Sequence, residues 1–188
     1  MRAFIAIELP DELIEKLGVI QDKLIEKSFK TGDISWPKPE NIHLTLKFLG
    51  DIDPEKVEEI QTALQKAAED IPPFQLSAGG IGAFPDLKAP RIIWVGIKES
   101  EGLARLQKNI DARLVESGFE KENRPFQPHL TLCRIKSHSA GRTIGKAAEA
   151  LDHGGDTVFK IETFVLFKSE LSPKGAKYSA LKRIILKG

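Results

Sequence analysis

The feature that most constrains this chain is the tetrapeptide His-Leu-Thr-Leu, which occurs twice, at residues 43–46 and 129–132. The chain has four histidines, and two of them begin this tetrapeptide. Around each copy the sequence predicts the same order of elements: strand, helix, His-x-Thr strand, helix and strand. Because a repeat at a near-constant offset is typical of duplicated supersecondary units, we expect two similar α+β lobes.

Local patterns support this order. Residues 3–9 are rich in Phe and Ile, which indicates a buried strand, and a helix with apolar residues at helical spacing follows to about residue 27. Asp53-Pro54-Glu55 predicts the start of the next helix, since it combines a cap, a first-turn proline and an acid. Near the C-terminus, residues 157–171 predict one long strand.

The predicted architecture is a single bilobal domain over residues 1–188. Its first half covers about 1–85 and its second about 90–188, and the final strand can cross between lobes. If a pseudo-twofold axis relates the lobes, the two equivalent strands face each other. Antiparallel sheets would then line a central cleft, with the helices outside.

Composition narrows the class of protein. The 188 residues are 41% hydrophobic and 29% charged, as in globular proteins, and the formal net charge is only +1. Such a balance excludes a strong overall attraction to nucleic acid or membranes, so a binder of polyanions needs local patches. A single cysteine, Cys133, fits a reducing compartment, and no apolar run reaches the roughly 18 residues of a membrane span. We expect a cytoplasmic monomer with no membrane partner.

Strand geometry assigns different tasks to the residues of the tetrapeptide. Side chains alternate along a strand, so the histidine and threonine of each copy share one face. The leucines, which are Leu44, Leu46, Leu130 and Leu132, then face the core. The same alternation places Lys47 beside His43 and Phe48 in the core. One His-x-Thr pair on a strand carries little weight, but two at equivalent points of a repeat favour a function.

Three kinds of chemistry are candidates for these residues. A zinc site needs three or four ligands, and neither copy supplies a second histidine or a carboxylate, so we expect no metal. A nucleophilic triad would require two copies of a Thr–His pair, which is unusual. Two facing imidazoles suit acid–base displacement at a phosphodiester, because one can take a proton while the other gives one. Thr45 and Thr131 would then bind the non-bridging oxygens.

The two tetrapeptides resemble the paired motifs of the two-histidine phosphoesterases, and the similarity extends along nearly the whole chain. It is closest to the bacterial and archaeal branch, the RNA 2′,3′-cyclic phosphodiesterases, historically called 2′-5′ RNA ligases. The segments that carry it are MRAFIAIELP, HLTLKFLGD, PRIIWVGI, RPFQPHLTLCR and KGAKYSALKRI.

This resemblance implies a bilobal fold with both motifs in a central groove and opening of a terminal RNA 2′,3′-cyclic phosphate to a 2′-phosphomonoester. It implies no cofactor. By the family pattern, His43 donates a proton to the leaving 3′ oxygen and His129 accepts one from water, although the symmetry leaves these roles exchangeable. Members also join tRNA halves reversibly through a 2′-5′ linkage.

Two cationic residues are candidates for substrate binding. Arg134 follows His129 by five residues, as an arginine does in this branch, and guanidinium suits phosphate oxygens. Strict alternation places Arg134 opposite His129, so the strand must end or bulge there. Lys47 could add positive charge beside His43, or it could be an ordinary surface lysine.

Other residues are weaker candidates. Cys133 shares the side of His129 by parity and is interpreted as a packing residue, while residues 79–82, GGIG, predict a bulged strand. His138 and His153 are expected on the surface without a role. Cations that could guide an RNA backbone are Arg91, Lys174 and Lys177. Aromatic residues that could stack on a terminal base are Trp36, Phe84, Phe126 and Tyr178.

Three functions follow from these patterns. The main hypothesis is a metal-independent hydrolase of RNA 2′,3′-cyclic phosphate ends. The first alternative is a 2′-5′ ligase of tRNA halves, and the second is a non-catalytic binder of single-stranded RNA ends.

Overall fold

Two antiparallel sheets and four helices form the structure, a computed structural model that describes residues 1–28, 32–98, 100–172 and 175–188. The first half contributes β1 (Arg2–Ile7), α1 (Asp11–Lys27), β2 (Ile34–Ser35), β3 (Leu44–Asp51), α2 (Val57–Ala68) and β4 (Phe74–Phe84). The second contributes β5 (Ile92–Ile97), α3 (Glu101–Glu116), β6 (His129–Ile135), α4 (His138–Glu149), β7 (Thr157–Ile161), β8 (Thr163–Ser172) and β9 (Gly175–Ile185). This arrangement confirms the α+β class.

The two sheets exchange strands between the halves of the sequence. The first sheet has the order β3-β1-β8-β9, and the second has the order β2-β6-β5-β4-β7. Thus β4 leaves the first half to pair with β5, while β8 leaves the second half to pair with β1. Crossing was expected only of the final strand, so the lobes do not coincide with the halves of about 1–85 and 90–188.

The helices follow the same exchange. α3 comes from the second half but packs on β3, next to α2, whereas α1 comes from the first half but packs on β6, next to α4. Each His-x-Thr strand is therefore backed by a helix from the other half. Helix starts agree with the sequence at Asp53, whose side chain accepts a hydrogen bond from the Glu55 N–H ahead of α2.

The long strand predicted over 157–171 is wrong. It breaks at Glu162 into β7, which pairs with β4 in the second sheet, and β8, which pairs with β1 in the first. One uninterrupted strand cannot serve two sheets, and the break at Glu162 lets the chain pass between them. The exposed Glu162 is still bonded to the residue that follows β9, because its carbonyl accepts a hydrogen bond from Leu186 N–H.

Each sheet has a face that packs on helices and an inner face. The main core lies between the sheets and their helices and includes Ile5, Leu44, Leu132 and Ile93. A separate small cluster of Phe4, Ala6, Val165 and Phe167 covers the inner face of the first sheet. The two sheets approach each other directly along β3 and β6. In the described ranges no helix is both long and apolar enough to cross a membrane.

Candidate active site

His43 lies on the inner face of the first sheet, directly before β3. A short 3₁₀ turn, Pro39–Asn41, precedes it in the chain and positions it there. Its imidazole stacks on Phe4 with a centroid distance of 4.6 Å, and Tyr178 contacts it edge-on at 5.2 Å. These rings fix the plane of the imidazole.

His129 lies at the matching point of the second sheet, as the first residue of β6. Phe84 contacts its ring edge-on at 4.9 Å, and Trp94 lies 6.3 Å from it. Trp94 is the third residue of β5, just as Phe4 is the third residue of β1. Both imidazoles are therefore backed by an aromatic side chain from the neighbouring strand.

Gly82, the last glycine of the segment 79–82, makes room for Trp94. A side chain at Gly82 would collide with the indole, so only glycine lets the ring lie across β4. Gly80 adopts φ +73, and the pairing of β4 with β5 shifts register there. The bulged strand predicted from GGIG is confirmed.

The same backbone contact orients both histidines. Nδ1 of His43 lies 2.8 Å from the Asn41 carbonyl oxygen, and Nδ1 of His129 lies 2.7 Å from the Gln127 carbonyl oxygen. A carbonyl oxygen only accepts, so each Nδ1 must carry the proton and donate it. Nε2 is then the nitrogen available for proton transfer in both rings. Since any residue two positions earlier supplies a carbonyl, the sequence held no signal for this contact.

A β-bulge follows the threonine in both copies. In the first sheet Ala6 pairs with Thr45 and Ile5 with Lys47, so Leu46 is an extra residue. In the second sheet the extra residue is Leu132, between the pairs of Thr131 and Cys133 with β5. An extra residue reverses the alternation of side chains. The residues that follow directly, Lys47 and Phe48 in the first copy and Cys133 and Arg134 in the second, therefore lie on the face opposite to the one that strict alternation predicts.

Three predictions are corrected by this reversal. Lys47 does not face the cleft beside His43 but is buried against α3, where it pairs with Asp111 and donates to the Glu120 carbonyl at 2.8 Å. Phe48 is not in the core, since 67% of it is exposed. Cys133 is fully buried rather than beside the cleft, and burial raises the pKa of its thiol to about 12. Its packing role stands.

Arg134 gains its place in the cleft through the same reversal. The bulge that the sequence required for it is present, and its side chain is exposed. Burial lowers the pKa of His43, and the positive charge of Arg134 lowers it further, against the hydrogen bond to Asn41. Burial raises the pKa of Tyr178, which the charge of Arg134 opposes. Arg134 of the second sheet thus acts on two residues of the first sheet, across the cleft.

Gln21 connects the two motifs and was missed in the sequence. Its buried side-chain amide donates to the Leu132 carbonyl at 2.8 Å and to the Pro37 carbonyl at 3.0 Å. It thereby satisfies the bulged residue of β6 and holds the segment that leads to His43. The available signal was a polar residue among Leu17, Ile20 and Leu24 on the apolar side of α1.

The threonines lie where the tetrapeptide predicts. Thr45 and Thr131 are half-buried and share the inner faces with the histidines, opposite Ala6 and Trp94 respectively. No side chain or backbone group of the described residues forms a hydrogen bond with either hydroxyl. Both hydroxyls are therefore available to a bound ligand.

The structure separates the remaining candidates. Of the aromatic residues, Tyr178 and Phe84 contact a histidine, whereas Trp36 and Phe126 pack against the core. Lys177 lines an open depression of about 250 Å³ beside Tyr178. The guanidinium of Arg91 donates to the Lys136 carbonyl, His138 begins α4 on the surface, and His153 follows α4, half-buried. Lys174 lies outside the described residues.

The polar side chains at the site are of the kinds that carry out proton transfer. Within residues 1–28, 32–98, 100–172 and 175–188, no three His, Cys, Asp or Glu side chains are grouped to hold a metal ion. The inner faces instead carry two imidazoles, two hydroxyls and one guanidinium, and the charge of that guanidinium, Arg134, acts on His43 of the other sheet. This set matches the needs of acid–base displacement at phosphorus.

Comparisons with known proteins agree with the duplicated architecture. The family model for the LigT-like phosphoesterases matches the chain twice in succession, at residues 7–94 and 95–178. The chain is 31% identical to the RNA 2′,3′-cyclic phosphodiesterase of Methanothermobacter thermautotrophicus, over 97% of both chains. It is 34% identical to that of Archaeoglobus fulgidus, over 97% of this chain and 98% of the relative.

Solved structures give the same result. The crystal structure of E. coli LigT complexed with 3′-AMP is similar with a TM-score of 0.76 and 28% identity, over 100% of this chain and 98% of that one. The crystal structure of the Thermus thermophilus protein TT0787 has a TM-score of 0.79 and 29% identity, over 100% of this chain and 99% of that one.

The buried pair of Lys47 and Asp111 gives a stability prediction. Lys47→Met should lower the free energy of unfolding by about 3 kcal/mol, because it leaves the largely buried Asp111 carboxylate without its cation and with only the Glu122 N–H as a donor. Lys160→Met is the matched control, since Lys160 pairs with Glu162 on the surface, and it should cost less than about 1 kcal/mol. Urea denaturation measures both, and equal effects would contradict the assignment of Lys47 to the core.

Proposed function

This chain belongs to the LigT-like phosphoesterases, as its motifs indicate, and we propose that it hydrolyses the 2′,3′-cyclic phosphate ends of RNA to 2′-phosphomonoesters. The observation that carries the proposal is the pair of imidazoles on the inner faces of the two sheets, each held at Nδ1 by a backbone carbonyl and accompanied by a threonine whose hydroxyl has no hydrogen bond to any described residue. Arg134, which acts on His43 across the cleft, supplies the positive charge that a phosphate requires.

The reaction needs one proton in and one proton out. Water attacks phosphorus as His129 Nε2 accepts its proton, and the bond from phosphorus to the 3′ oxygen breaks as His43 Nε2 donates a proton to that oxygen. The phosphate remains on the 2′ oxygen. Thr45, Thr131 and Arg134 bind the non-bridging oxygens, whose charge grows in the transition state.

The protonation state of His43 decides how the enzyme responds to pH. A donor must enter the reaction protonated, yet burial and Arg134 lower the pKa of His43 in the free protein. A bound anionic phosphate acts in the opposite direction, because a nearby negative charge favours imidazolium. The substrate therefore helps to charge its own general acid.

RNA is the proposed substrate of this site, and experiment can decide whether its ends are hydrolysed or joined. E. coli LigT, 28% identical to this chain, was crystallised with 3′-AMP, which supports a nucleotide phosphate as the ligand class. We propose a cytoplasmic monomer that needs no cofactor and no membrane.

Joining of tRNA halves would use the same residues, with a 5′ hydroxyl in place of water. Mass analysis of products from RNA with a cyclic-phosphate end, with and without a 5′-hydroxyl acceptor, separates hydrolysis from ligation.

Replacing either histidine tests the proposal directly. His43→Ala and His129→Ala should each lower kcat by about 100-fold or more, since general acid–base catalysis contributes about 10²- to 10⁴-fold. His138→Ala, on the surface at the start of α4, is the control and should leave kcat unchanged. Thermal unfolding confirms that each variant is folded. Full activity in either cleft variant overturns the two-histidine mechanism.

The pH profile tests the roles of the two rings. The ordinary pKa of histidine is about 6.5, and that of His43 is lowered from it, so the protonated fraction of His43 falls as pH rises through a value below 6.5. Because kcat/KM reports groups of the free enzyme, an acid and a base together predict a bell-shaped profile of kcat/KM against pH. If His43 is the acid, His43→Ala should remove the falling limb, so that the residual kcat/KM rises with pH and then stays level. A residual kcat/KM that falls with rising pH would exchange the two roles.

Chelation tests the independence from metal. Activity should survive EDTA, because the two imidazoles perform both proton transfers and no Lewis acid is needed to generate the nucleophile. The rate on a cyclic-phosphate oligonucleotide is compared before and after dialysis against the chelator. A loss that added Mg²⁺ or Zn²⁺ restores would assign the attack to a metal-bound water.

A further inference from the structure

Gln21 and Asp111 occupy equivalent positions in the duplicated architecture. Gln21 is the eleventh residue of α1, and Asp111 is the eleventh residue of α3. The two helices are themselves equivalent, since each follows the first strand of its half and packs on the His-x-Thr strand of the other half. Both side chains are largely buried although both are polar. Because buried polar groups need partners, the bonds of these two residues show what they connect.

The first connection, which we call the first brace, is Gln21 with its two hydrogen bonds. The amide group donates to the Leu132 carbonyl at 2.8 Å and to the Pro37 carbonyl at 3.0 Å. Leu132 is the extra residue of the bulge in β6, and Pro37 lies in residues 36–42, the approach segment of His43. One side chain therefore links the approach segment of one histidine to the motif strand of the other.

The second brace is Asp111 together with Lys47, the residue that follows the bulge in β3. The Asp111 carboxylate forms an ion pair with Lys47 and accepts a hydrogen bond from the Glu122 N–H at 3.1 Å. The ammonium group of Lys47 also donates to the Glu120 carbonyl at 2.8 Å. Both backbone groups belong to residues 120–128, the approach segment of the second histidine. The connection is the same as in the first brace, with the two halves exchanged.

The two braces share a connection and differ in their chemistry. The first is a neutral amide between two carbonyls, whereas the second is an ion pair completed by backbone groups. A single donor would satisfy the bulged carbonyl of β6, yet the amide of Gln21 forms its second bond with the approach segment. In each brace the helix and the approach segment come from one half of the sequence and the motif strand comes from the other. Together they bond the two halves in both directions.

We propose that Gln21 and Asp111 are positioning residues that set the placement of His43 relative to His129. The proposal rests on the proposed function and adds to it the groups that hold the general acid and the general base on opposite sides of one phosphorus. Both rings must be in place in the same transition state, and a misplacement of about 1 Å can lower a rate by about 100-fold. Neither positioning residue touches the substrate, because each acts through the segment that leads to a histidine.

Removal of the first brace gives the first test. Gln21→Leu keeps a side chain of similar size but removes both donors. It should lower kcat for a cyclic-phosphate RNA end by roughly tenfold to a hundredfold, with a smaller change in KM, because the lost geometry matters most in the transition state. Ile60→Val, a core variant on α2 outside both braces, should leave kcat unchanged. Rates are compared at a temperature at which thermal unfolding shows every variant to be folded.

Removal of the second brace requires a double variant. Asp111→Leu alone would leave the buried Lys47 ammonium without its anion, so Lys47→Met is combined with it to remove both charges together. The double variant should lower kcat by a factor similar to that of Gln21→Leu. Asp111→Asn keeps Oδ1 as an acceptor for Lys47 and for the Glu122 N–H, and it should retain most of the activity. An unchanged kcat after removal of either brace overturns the proposal.

A cycle with His43→Ala separates positioning from a general structural role. In that background only one imidazole takes part, so its placement relative to the other no longer affects the rate. Adding Gln21→Leu to His43→Ala should therefore lower the residual kcat by less than about twofold. A merely structural contribution would lower kcat by the same factor in both backgrounds, and that result overturns the proposal.

Failure of the proposed function would be recognised separately, because the wild-type protein would then turn over no cyclic-phosphate end. In that case amide hydrogen exchange measures the first brace without a substrate. Gln21→Leu should speed exchange at the N–H groups of Asn41 and Ile42, which form hydrogen bonds within the approach segment of His43. Ile60→Val should leave both rates unchanged. Faster exchange in Gln21→Leu alone supports the brace, and equal rates in wild type and Gln21→Leu overturn it.

Discussion

The extra residue at Leu46 and at Leu132 is the constraint on which the site depends. Because of each bulge, three residues of the motif face the core within a short stretch of strand. The next side chain, Phe48 or Arg134, then faces the cleft. A regular strand would instead have buried an arginine and exposed a lysine. The bulge leaves a carbonyl at Leu132 outside the regular ladder, and the buried amide of Gln21 donates to it. β-Bulges near active sites commonly redirect a side chain in this manner.

The imidazoles depend on a second, simpler constraint. A backbone carbonyl holds Nδ1 of each ring, and aromatic neighbours hold its plane, so neither ring must reorganise when a phosphate arrives. The two copies share this arrangement although the neighbours differ: Phe4 and Tyr178 enclose His43, while Phe84 and Trp94 flank His129. Their electrostatic surroundings also differ, because Arg134 from one sheet acts on the histidine of the other. An architecture with near symmetry therefore presents two chemically different rings.

The sequence predicted those parts of the site that depend on neighbouring residues of one segment. The duplicated tetrapeptide placed both histidines and both threonines, and Asp53-Pro54-Glu55 placed the start of a helix. Alternation failed at Lys47 and Phe48 because a bulge is a property of strand pairing, which the sequence of one strand does not display. A signal was present nonetheless: Arg134 required a bulge to reach the cleft, and the same bulge applied to the first copy would have exposed Phe48. Glu162 gave a similar signal, since this charged residue separates the alternating pattern of β7 from the continuous apolar run FVLF of β8.

The exchange of strands has a consequence for the history and the assembly of this chain. β1 lies between β3 and β8, so Phe4 pairs with Phe167 near the other end of the chain, and the first sheet is incomplete until most of the polypeptide has been synthesised. Contacts of such long range slow folding, because their loop entropy is lost before they form. Two copies of one ancestral half, each lending a strand and a helix to the other, would form the same arrangement as a domain-swapped homodimer. Fusion of that dimer into one polypeptide would have freed the two identical halves of its site to diverge, and would have allowed arginine to occupy one copy where phenylalanine occupies the other.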